Sequence, residues 1–346
     1  MESAPGLGLA DHPSRDGHRI WTTRTNLEVA RFLLDPAHRL SESAGMPTDE
    51  VHPAPSGGSQ LAGQLYLGCA IWAYPGWNGN FYPRGTKPNE TLRLFAERMN
   101  AVEGNTTFYA VPPVETVERW STEMPSSFRF CPKLPRELSH QGELMPSLPG
   151  VHAFLDRLEP LHDRLGMVFV QLPSSYGPDR GRDLVDFLAA WPNDRVHLGI
   201  ELRHPEWFSD RVRPRLDRAL RAGNTTNVIL DTRPIFEGPD NPQAHSKRKK
   251  PNLPVRPEAT SSRCMVRYIG HPTPARNFVP LKRWAKRTAR WLREGRDVQF
   301  FCHCPEEEVS PQLARHFQTE LEALVPEVSP LPWNSLPSHT EQLELY

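Results

Sequence analysis

The sequence lacks long apolar runs. None of its 346 residues belongs to an uninterrupted apolar stretch of about 18, the length that spans a bilayer, and no basic start leads into an apolar core of the kind that marks a secretory signal. Hydrophobic residues make up 38% and charged residues 24% of the chain, as in globular proteins. We therefore expect a cytoplasmic protein with no membrane partner, long enough to bury a large core.

Cysteine is scarce, and its placement argues against a metal site. The chain has five cysteines in apolar, strand-like runs, which is typical of reduced core thiols: Cys69, Cys131, Cys264, Cys302 and Cys304. In FFCHCPEE, His303 lies between two thiols, but no second cysteine pair completes a zinc spacing, and neighbouring strand residues point to opposite faces. Core packing is favoured, no metal is predicted, and the role of His303 is left open.

Several catalytic motifs are also missing. The chain has no Walker loop, Rossmann glycine fingerprint, G-x-S-x-G elbow or H-E-x-x-H pattern. ATPases, dinucleotide-dependent enzymes, esterases and zinc proteases of those classes are therefore disfavoured. No cofactor is predicted, and any enzymatic activity would be that of a hydrolase or lyase without an obvious metal site.

The net charge of zero hides a segregation of charge along the chain. Residues 241–300 hold fifteen Lys and Arg against three Asp and Glu, whereas residues 301–346 hold one Arg against eight Glu. Basic residues in an insertion at 235–262, especially 245–256, and in a helix at 282–296 suggest contact with nucleic acid. The alternative is that the helix only exposes its polar side, with these residues buried: Leu281, Trp284, Ala285, Thr288, Trp291 and Leu292.

From residue 64 onward, eight strand-like runs alternate with amphipathic segments. The runs are LYLGCAIW, AVEGNTTF, FRFCPKLP, MVFVQLP, VHLGIELR, NVILDTR, CMVRYIG and VQFFCHC. This alternation predicts a single-domain α/β fold, a (β/α)8 TIM barrel over residues 64–332, with a doubly wound open sheet as the alternative. Residues 1–63 are rich in Pro, Ser and Gly and are predicted to be a disordered or loosely attached extension, and 333–346 a flexible tail.

Polar residues stand where the predicted strands end, beginning with the run NAVEGNTTFYAVPP. The mouth of a (β/α)8 barrel is formed by the carboxyl ends of its strands, so these side chains are expected to converge there. In chain order they are Trp72, Glu103 with Asn105, Lys133, Gln171, Glu201 with Arg203 and His204, Asp231 with Arg233, Arg267 and His303. So many ionisable groups favour a binding funnel over isolated ion pairs at the rim.

Seven segments resemble, in order, the signatures of the YecE-like family, domain of unknown function 72: GCAIWAYPGWNGNFYP, VEGNTTFYAVP, FRFCPKLPRELSH, FVQLPSSYGP, IELRHPEWF, VILDTRP and VRYIG. The resemblance spans about Leu65 to Pro332 and implies a TIM barrel without an established reaction. It points to Trp72, Trp77, Glu103, Asn105, Thr106, Tyr109, Lys133, His140, Gln171, Glu201, Arg203, His204, Trp207, Asp231 and Arg267. The chain departs from many members at CHCPEE and at RYIG.

The residue types support two kinds of mouth chemistry. Glu103 and Glu201 are predicted to act as a general acid and base pair on an anionic or polyhydroxylated ligand, with Lys133 and Asp231 tuning their pKa values, which suits glycosidic or proton-transfer chemistry. The basic side chains are instead suited to clamp a phosphate or carboxylate, which favours a sugar phosphate or nucleotide-like ligand: Lys133, Arg203, Arg233 and Arg267. Aromatic faces for stacking would come from Trp72, Tyr74, Trp77, Tyr109 and Trp207.

Two further hypotheses stay open. A barrel nuclease with several zinc ions would need more ligands than His140, His204 and His303. The final residues QLELY, 342–346, are similar to the short peptide with which bacterial replication and repair proteins bind the sliding clamp, although that peptide usually ends in Phe. The alternative function is therefore a DNA-maintenance accessory protein, and the competing interpretation of the tail is that it folds back onto its own barrel.

Overall fold

A computed structural model describes residues 61–236 and 250–336. Each of the eight sequence runs forms a strand there, which confirms the strand predictions. The strands are β1 (Leu65–Cys69), β2 (Ala101–Gly104), β3 (Arg129–Pro132), β4 (Val168–Gln171), β5 (Leu198–Glu201), β6 (Thr226–Asp231), β7 (Arg263–Ile269) and β8 (Asp297–His303).

The strands are parallel and close into a barrel. Six of them pair in the order β1-β8-β7-β6-β5-β4, and β2 pairs with β3. Between β3 and β4 the backbone continues the ring, since Leu134 N–H donates to Phe169 O at 2.9 Å and Gly166 N–H donates to Phe130 O at 2.8 Å. Pairing of the first strand with the last excludes the open-sheet alternative and establishes the (β/α)8 barrel.

Side chains and a glycine hold the junction between β1 and β2. The Asn100 carboxamide accepts from Leu67 N–H at 2.6 Å and donates to Leu65 O at 2.9 Å, replacing a backbone ladder. A Cβ added to Gly68 would lie 1.8 Å from the carbonyl oxygen of Ala101, so only glycine allows the two strands to approach this closely.

Helices alternate with the strands around the outside of the barrel. In the described ranges they are α1 (Thr91–Ala96), α2 (Thr106–Tyr109), α3 (Val114–Glu123), α4 (Arg136–Ser139), α5 (Leu148–Arg157), α6 (Gly181–Ala190), α7 (Arg213–Ala222), α8 (Arg233–Phe236), α9 (Phe278–Arg293) and α10 (Ser310–Glu322). Between β6 and β7 the described residues form one helix, α8, which is a single turn long. The predicted buried stripe of α9 is confirmed at all six positions.

Apolar residues fill two regions. The larger core lies between the strands and the outer helices. A second cluster contains alternate strand residues inside the barrel: Tyr66, Ala101, Cys131, Met167, Phe169, Val228, Met265 and Phe301. All five cysteines are free and buried, as the sequence predicts. The inner cluster closes the barrel below the mouth. Because strand side chains alternate between faces, the polar residues two positions further along the strands also point inward, at the open end.

Several predictions lie outside the described residues. They concern most of the N-terminal extension (1–60), the basic residues of the insertion before Lys250, and the tail with its QLELY sequence (337–346). Within 61–236 and 250–336, no helix is long and apolar enough to cross a membrane.

Candidate functional site

A buried ion triad occupies the mouth of the barrel. Arg267, from β7, donates through Nε and Nη2 to both carboxylate oxygens of Glu103 on β2, at 2.7 and 2.6 Å. Its remaining terminal nitrogen, Nη1, donates to Glu201 Oε2 on β5. Both carboxylates are fully buried and Arg267 is 2% exposed. One guanidinium therefore joins three strands that are not neighbours in the ring through two carboxylates.

Neighbouring polar groups complete the hydrogen bonding of the two carboxylates. Arg203 Nε donates to Glu201 Oε1 at 2.7 Å, and Asn105 Nδ2 donates to Glu103 Oε1 at 2.6 Å. His303, at the end of β8, places Nε2 at 3.2 Å from Glu103 Oε2. The end of the eighth strand thus contributes to the site although its sequence departs from the family pattern.

The triad fixes the ionisation of its members. Burial alone would raise the pKa of Glu103, but the Arg267 guanidinium and His303 hold it well below its usual value. Burial opposes ionisation of Glu201 as well, yet Arg267 and Arg203 lower its pKa to about 2. Burial lowers the pKa of His303 to about 4, against the opposing pull of Glu103. Near neutral pH the site therefore holds two carboxylates and an uncharged imidazole.

Lys133 lies beside the triad in a different environment. Its Nζ donates to Gln171 Oε1 at 2.7 Å and lies 3.7 Å from the centroid of the Phe108 ring. Burial, followed by repulsion from Arg267, lowers the pKa of the amine to about 7. Among the described residues no carboxylate forms an ion pair with it, so this lysine loses its charge near neutral pH.

Asp231 requires a correction to the prediction that it shares a pocket with the other mouth residues. Its Oδ2 accepts from Trp284 Nε1 of helix α9 at 2.7 Å, and Arg233 binds both carboxylate oxygens at 2.9 and 2.8 Å. Val228 faces the barrel interior, and Asp231 is an odd number of residues away on the same strand, so its side chain points outward. Arg233 is drawn outward with it.

The predicted aromatic ligand contacts lie in different surroundings. Trp72 packs edge-on against Trp120 and Phe130 in the outer core. Trp77 is fully buried, and its Nε1 donates to Glu307 O at 2.9 Å. Tyr109, by contrast, is 82% exposed. Both tryptophans are therefore part of the packed core, whereas Tyr109 exposes most of its side chain.

The two histidines predicted to bind ligand have local partners. His140 Nδ1 lies 2.9 Å from Ser139 Oγ, and its ring contacts Phe108. Burial, followed by the positive charge of Lys133, lowers the pKa of His140 to about 4. His204 Nδ1 accepts from Glu206 N–H at 3.2 Å and thereby caps the following turn.

Two mouth residues were not recognised as such from the sequence. Lys250, which the charge pattern assigned to a nucleic-acid patch, lies near enough to the triad for its charges to act on it: burial, followed by the positive charges of Arg267 and Arg203, lowers its pKa to about 8. Burial raises the pKa of Glu307 to about 7, and its Oε2 accepts from Ser310 Oγ at 2.8 Å. Glu307 could have been found, because it lies in the loop that follows β8, and such loops form the mouth. Lys250 follows no strand and gives no such signal.

The donor types at the mouth do not form a metal cluster. Throughout 61–236 and 250–336, no group of three or more His, Cys, Asp or Glu side chains is arranged to hold a single ion. His303 points inward to Glu103, whereas Cys302 and Cys304 belong to the outer core. The alternation inferred from the sequence therefore separates the imidazole from both thiols.

Comparison with known proteins relates this barrel to one family. The family model described as protein of unknown function DUF72 matches residues 66–337. UPF0759 protein YecE of Escherichia coli (strain K12) is 32% identical over 271 residues, which cover 78% of this chain and 96% of that protein. UPF0759 protein YunF of Bacillus subtilis (strain 168) is 27% identical over 183 residues, covering 50% of this chain and 63% of YunF.

Solved structures show the same fold. A crystal structure of a DUF72 family protein from Enterococcus faecalis V583 superposes with a TM-score of 0.59 and 19% identity, covering 75% of this chain and 96% of that one. For a DUF72 family protein from Thermotoga maritima MSB8, the TM-score is 0.56 at 20% identity, with 75% and 99% covered. At these identities the similarity concerns the fold alone.

Proposed function

Because the chain belongs to the family of proteins of unknown function DUF72, whose description assigns no reaction, we propose from the site itself that the barrel mouth binds and transforms an anionic small molecule. A sugar phosphate or a nucleotide-like compound has the required charge. Lys133 would move protons there, and Lys133, Arg203 and Lys250 would surround the anionic group.

The supporting observation is a pair of amines, Lys133 and Lys250, that no carboxylate of the described residues pairs with. The carboxylates of Glu103 and Glu201 are already bound by Arg267 and Arg203. In the described part of the chain neither Lys133 nor Lys250 has a carboxylate ion-pair partner, and burial lowers the pKa of both amines. An anion between them would favour their charged forms, so its binding would relieve the cost of burying these amines.

The same charges determine which groups can exchange protons. Glu103 and Glu201, predicted from the sequence as an acid and base pair, have lowered pKa values and stay ionised at neutral pH. Lys133 and Glu307 both have pKa values of about 7, which suits general acid and base catalysis. Within the proposal, the two carboxylates therefore hold Arg267 in place while Lys133 exchanges protons.

A thermal-shift screen tests the proposal. Sugar phosphates, nucleoside monophosphates and inorganic phosphate should raise the melting temperature, whereas the matching unphosphorylated sugars and nucleosides should not, because a ligand of the native state adds stability according to its affinity. Arg203→Gln and Lys250→Gln should each reduce the shift. Lys282→Gln, on the exposed face of α9, is the matched control and should leave it unchanged. Equal stabilisation by charged and uncharged compounds, or by none, would refute the proposal.

One observation supports the alternative function in DNA maintenance. The outer face of α9 exposes a row of basic side chains: Lys282, Arg283, Lys286, Arg290 and Arg293. Such a row can follow a phosphate backbone, although it is equally the solvated side of an amphipathic helix. Binding to DNA that weakens steeply with salt, and that is lost when Lys282, Arg283 and Lys286 are all replaced by Gln, would favour this alternative.

A further inference from the structure

We infer that the Lys133 amine is a nucleophile that forms an imine with the carbonyl carbon of an anionic aldehyde or ketone at the barrel mouth. The inference rests on the proposed function and specifies the substrate class: the anionic molecule would carry a carbonyl group within reach of this nitrogen.

The backbone holds Lys133 firmly at the carboxyl end of β3. Its N–H donates to Gly104 O at 3.2 Å, and Thr107 Oγ1 donates to the Lys133 carbonyl at 2.6 Å. The same hydroxyl lies 2.8 Å from Gly104 O, so it connects the ends of two neighbouring strands. Lys133 is 6% exposed, so its side chain is surrounded by protein groups such as Gln171 and Phe108 and not by solvent. Such fixed placement suits a nucleophile.

The Lys133 amine is oriented by two uncharged groups, neither of which forms an ion pair with it. Gln171 Oε1 is a neutral acceptor, and the Phe108 ring covers one side of the nitrogen. Four charged groups face it: Arg267 and Arg203 oppose protonation, while Glu201 and Glu103, already bound by these arginines, favour it. Burial is the largest influence, and the resulting pKa of about 7 leaves much of the amine neutral and nucleophilic.

The step balances without an oxidant or reductant. The lone pair of the neutral Lys133 nitrogen attacks the carbonyl carbon, so that a C–N bond forms and the C=O π bond breaks, and one of the two nitrogen hydrogens passes as a proton to the oxygen to give a carbinolamine. Loss of water, with the oxygen leaving from carbon and the nitrogen giving up its second hydrogen, produces the C=N bond. Arg203 and Lys250 would hold the anionic part of the molecule during this sequence.

Reductive trapping with two small aldehydes tests the inference on the full-length protein. Glyoxylate is anionic and glycolaldehyde is neutral, and cyanoborohydride reduces either imine to a stable amine that peptide mass spectrometry locates. At pH 7 we expect Lys133 to be labelled at least about tenfold faster than exposed Lys282, since the lowered pKa of Lys133 leaves much of its amine neutral there. The Lys133 rate should rise through a midpoint near pH 7.

A variant separates the inference from the function on which it rests. Arg203→Gln should slow labelling of Lys133 by glyoxylate but not by glycolaldehyde. If Lys133 reacts fast with both aldehydes and the variant slows neither, the imine stands and the anion site fails. If Lys133 is labelled no faster than Lys282 by either aldehyde, the imine is overturned, even when anions still raise the melting temperature.

Discussion

Two levels of the barrel interior differ sharply although the same strands build both. The lower level is apolar and includes Phe169, Met265 and Phe301. Two residues further along three of these strands, the upper level holds Gln171, Arg267 and His303. The difference shows how the fold separates its tasks: the lower level fills the barrel and supports its stability, while the upper level gathers polar and ionisable groups at the end of the barrel where the carboxyl ends of the strands meet.

The two levels are in direct contact. The guanidinium of Arg267 lies over the Phe169 ring, with Cζ 5.1 Å from the centroid, so the apolar level forms the floor of the charged one. A floor without water strengthens each charge interaction above it and also makes any unpaired charge costly. The upper level therefore tolerates its charges only because hydrogen bonds and ion pairs satisfy them.

Removing the shared cation should give the largest effect. Arg267→Met leaves the buried Glu103 and Glu201 without their common partner, and we expect a loss of about 3–5 kcal/mol in the free energy of unfolding, measured by urea denaturation. Arg182→Met is the matched control: it breaks an exposed ion pair with Asp186, for which about 0–1 kcal/mol is expected. A loss for Arg267→Met no larger than that of the control would show that the triad carries little stability.

Replacing Lys133 should change the free energy of unfolding in the opposite direction. Lys133→Met removes a cation whose burial is unfavourable, so we expect the free energy of unfolding at pH 7 to rise by about 1–3 kcal/mol. The folded-state pKa is about 7 and the usual value is 10.5, so between these values the unfolded chain binds more protons than the folded one. The cost of burying Lys133 is therefore greatest below pH 7 and disappears as the pH approaches 10.5.

Urea denaturation of Lys133→Met and of the wild type at several pH values measures how the cost of burying Lys133 depends on pH. The advantage of Lys133→Met over the wild type should shrink steadily between pH 7 and pH 10. Lys282→Met, which removes an exposed lysine from α9, is the control and should show no such trend. A constant difference between Lys133→Met and the wild type across the range would mean that Lys133 keeps its ordinary pKa.

Much of the fold and part of the site could be predicted from the sequence. Alternation of strand and helix patterns predicts all eight strands, and position at strand ends identifies Glu103, Lys133, Glu201 and Arg267. The pattern cannot predict that one arginine binds both glutamates, because that pairing joins strands far apart in the sequence. Nor does it reveal their lowered pKa values, which depend on burial and on neighbours brought together only by ring closure.

Asp231 shows the same limit of prediction from sequence within a single strand. Its place at the end of β6 resembles that of Glu201 on β5, but a one-residue difference in register turns a strand side chain to the opposite face. The sequence gives the end of a strand to within a residue or two, so it cannot decide which of two adjacent positions faces the interior. Contact with Trp284 on α9 decides it for Asp231.

The smallest effect on stability is expected from replacing Asp231, on the outer side of the barrel wall. Asp231→Asn keeps an oxygen for Trp284 or Arg233 but removes the charge, so we expect a loss of about 1 kcal/mol in the free energy of unfolding. The thermal shift produced by anions should stay at its wild-type size, because Asp231 and the mouth lie on opposite faces of the barrel wall. Glu201→Gln is the comparison, since it weakens both Arg203 and Arg267 and should reduce that shift. If Asp231→Asn reduced the anion response as strongly as Glu201→Gln, the outward face of β6 would have to communicate with the mouth, and the two faces could no longer be treated as separate.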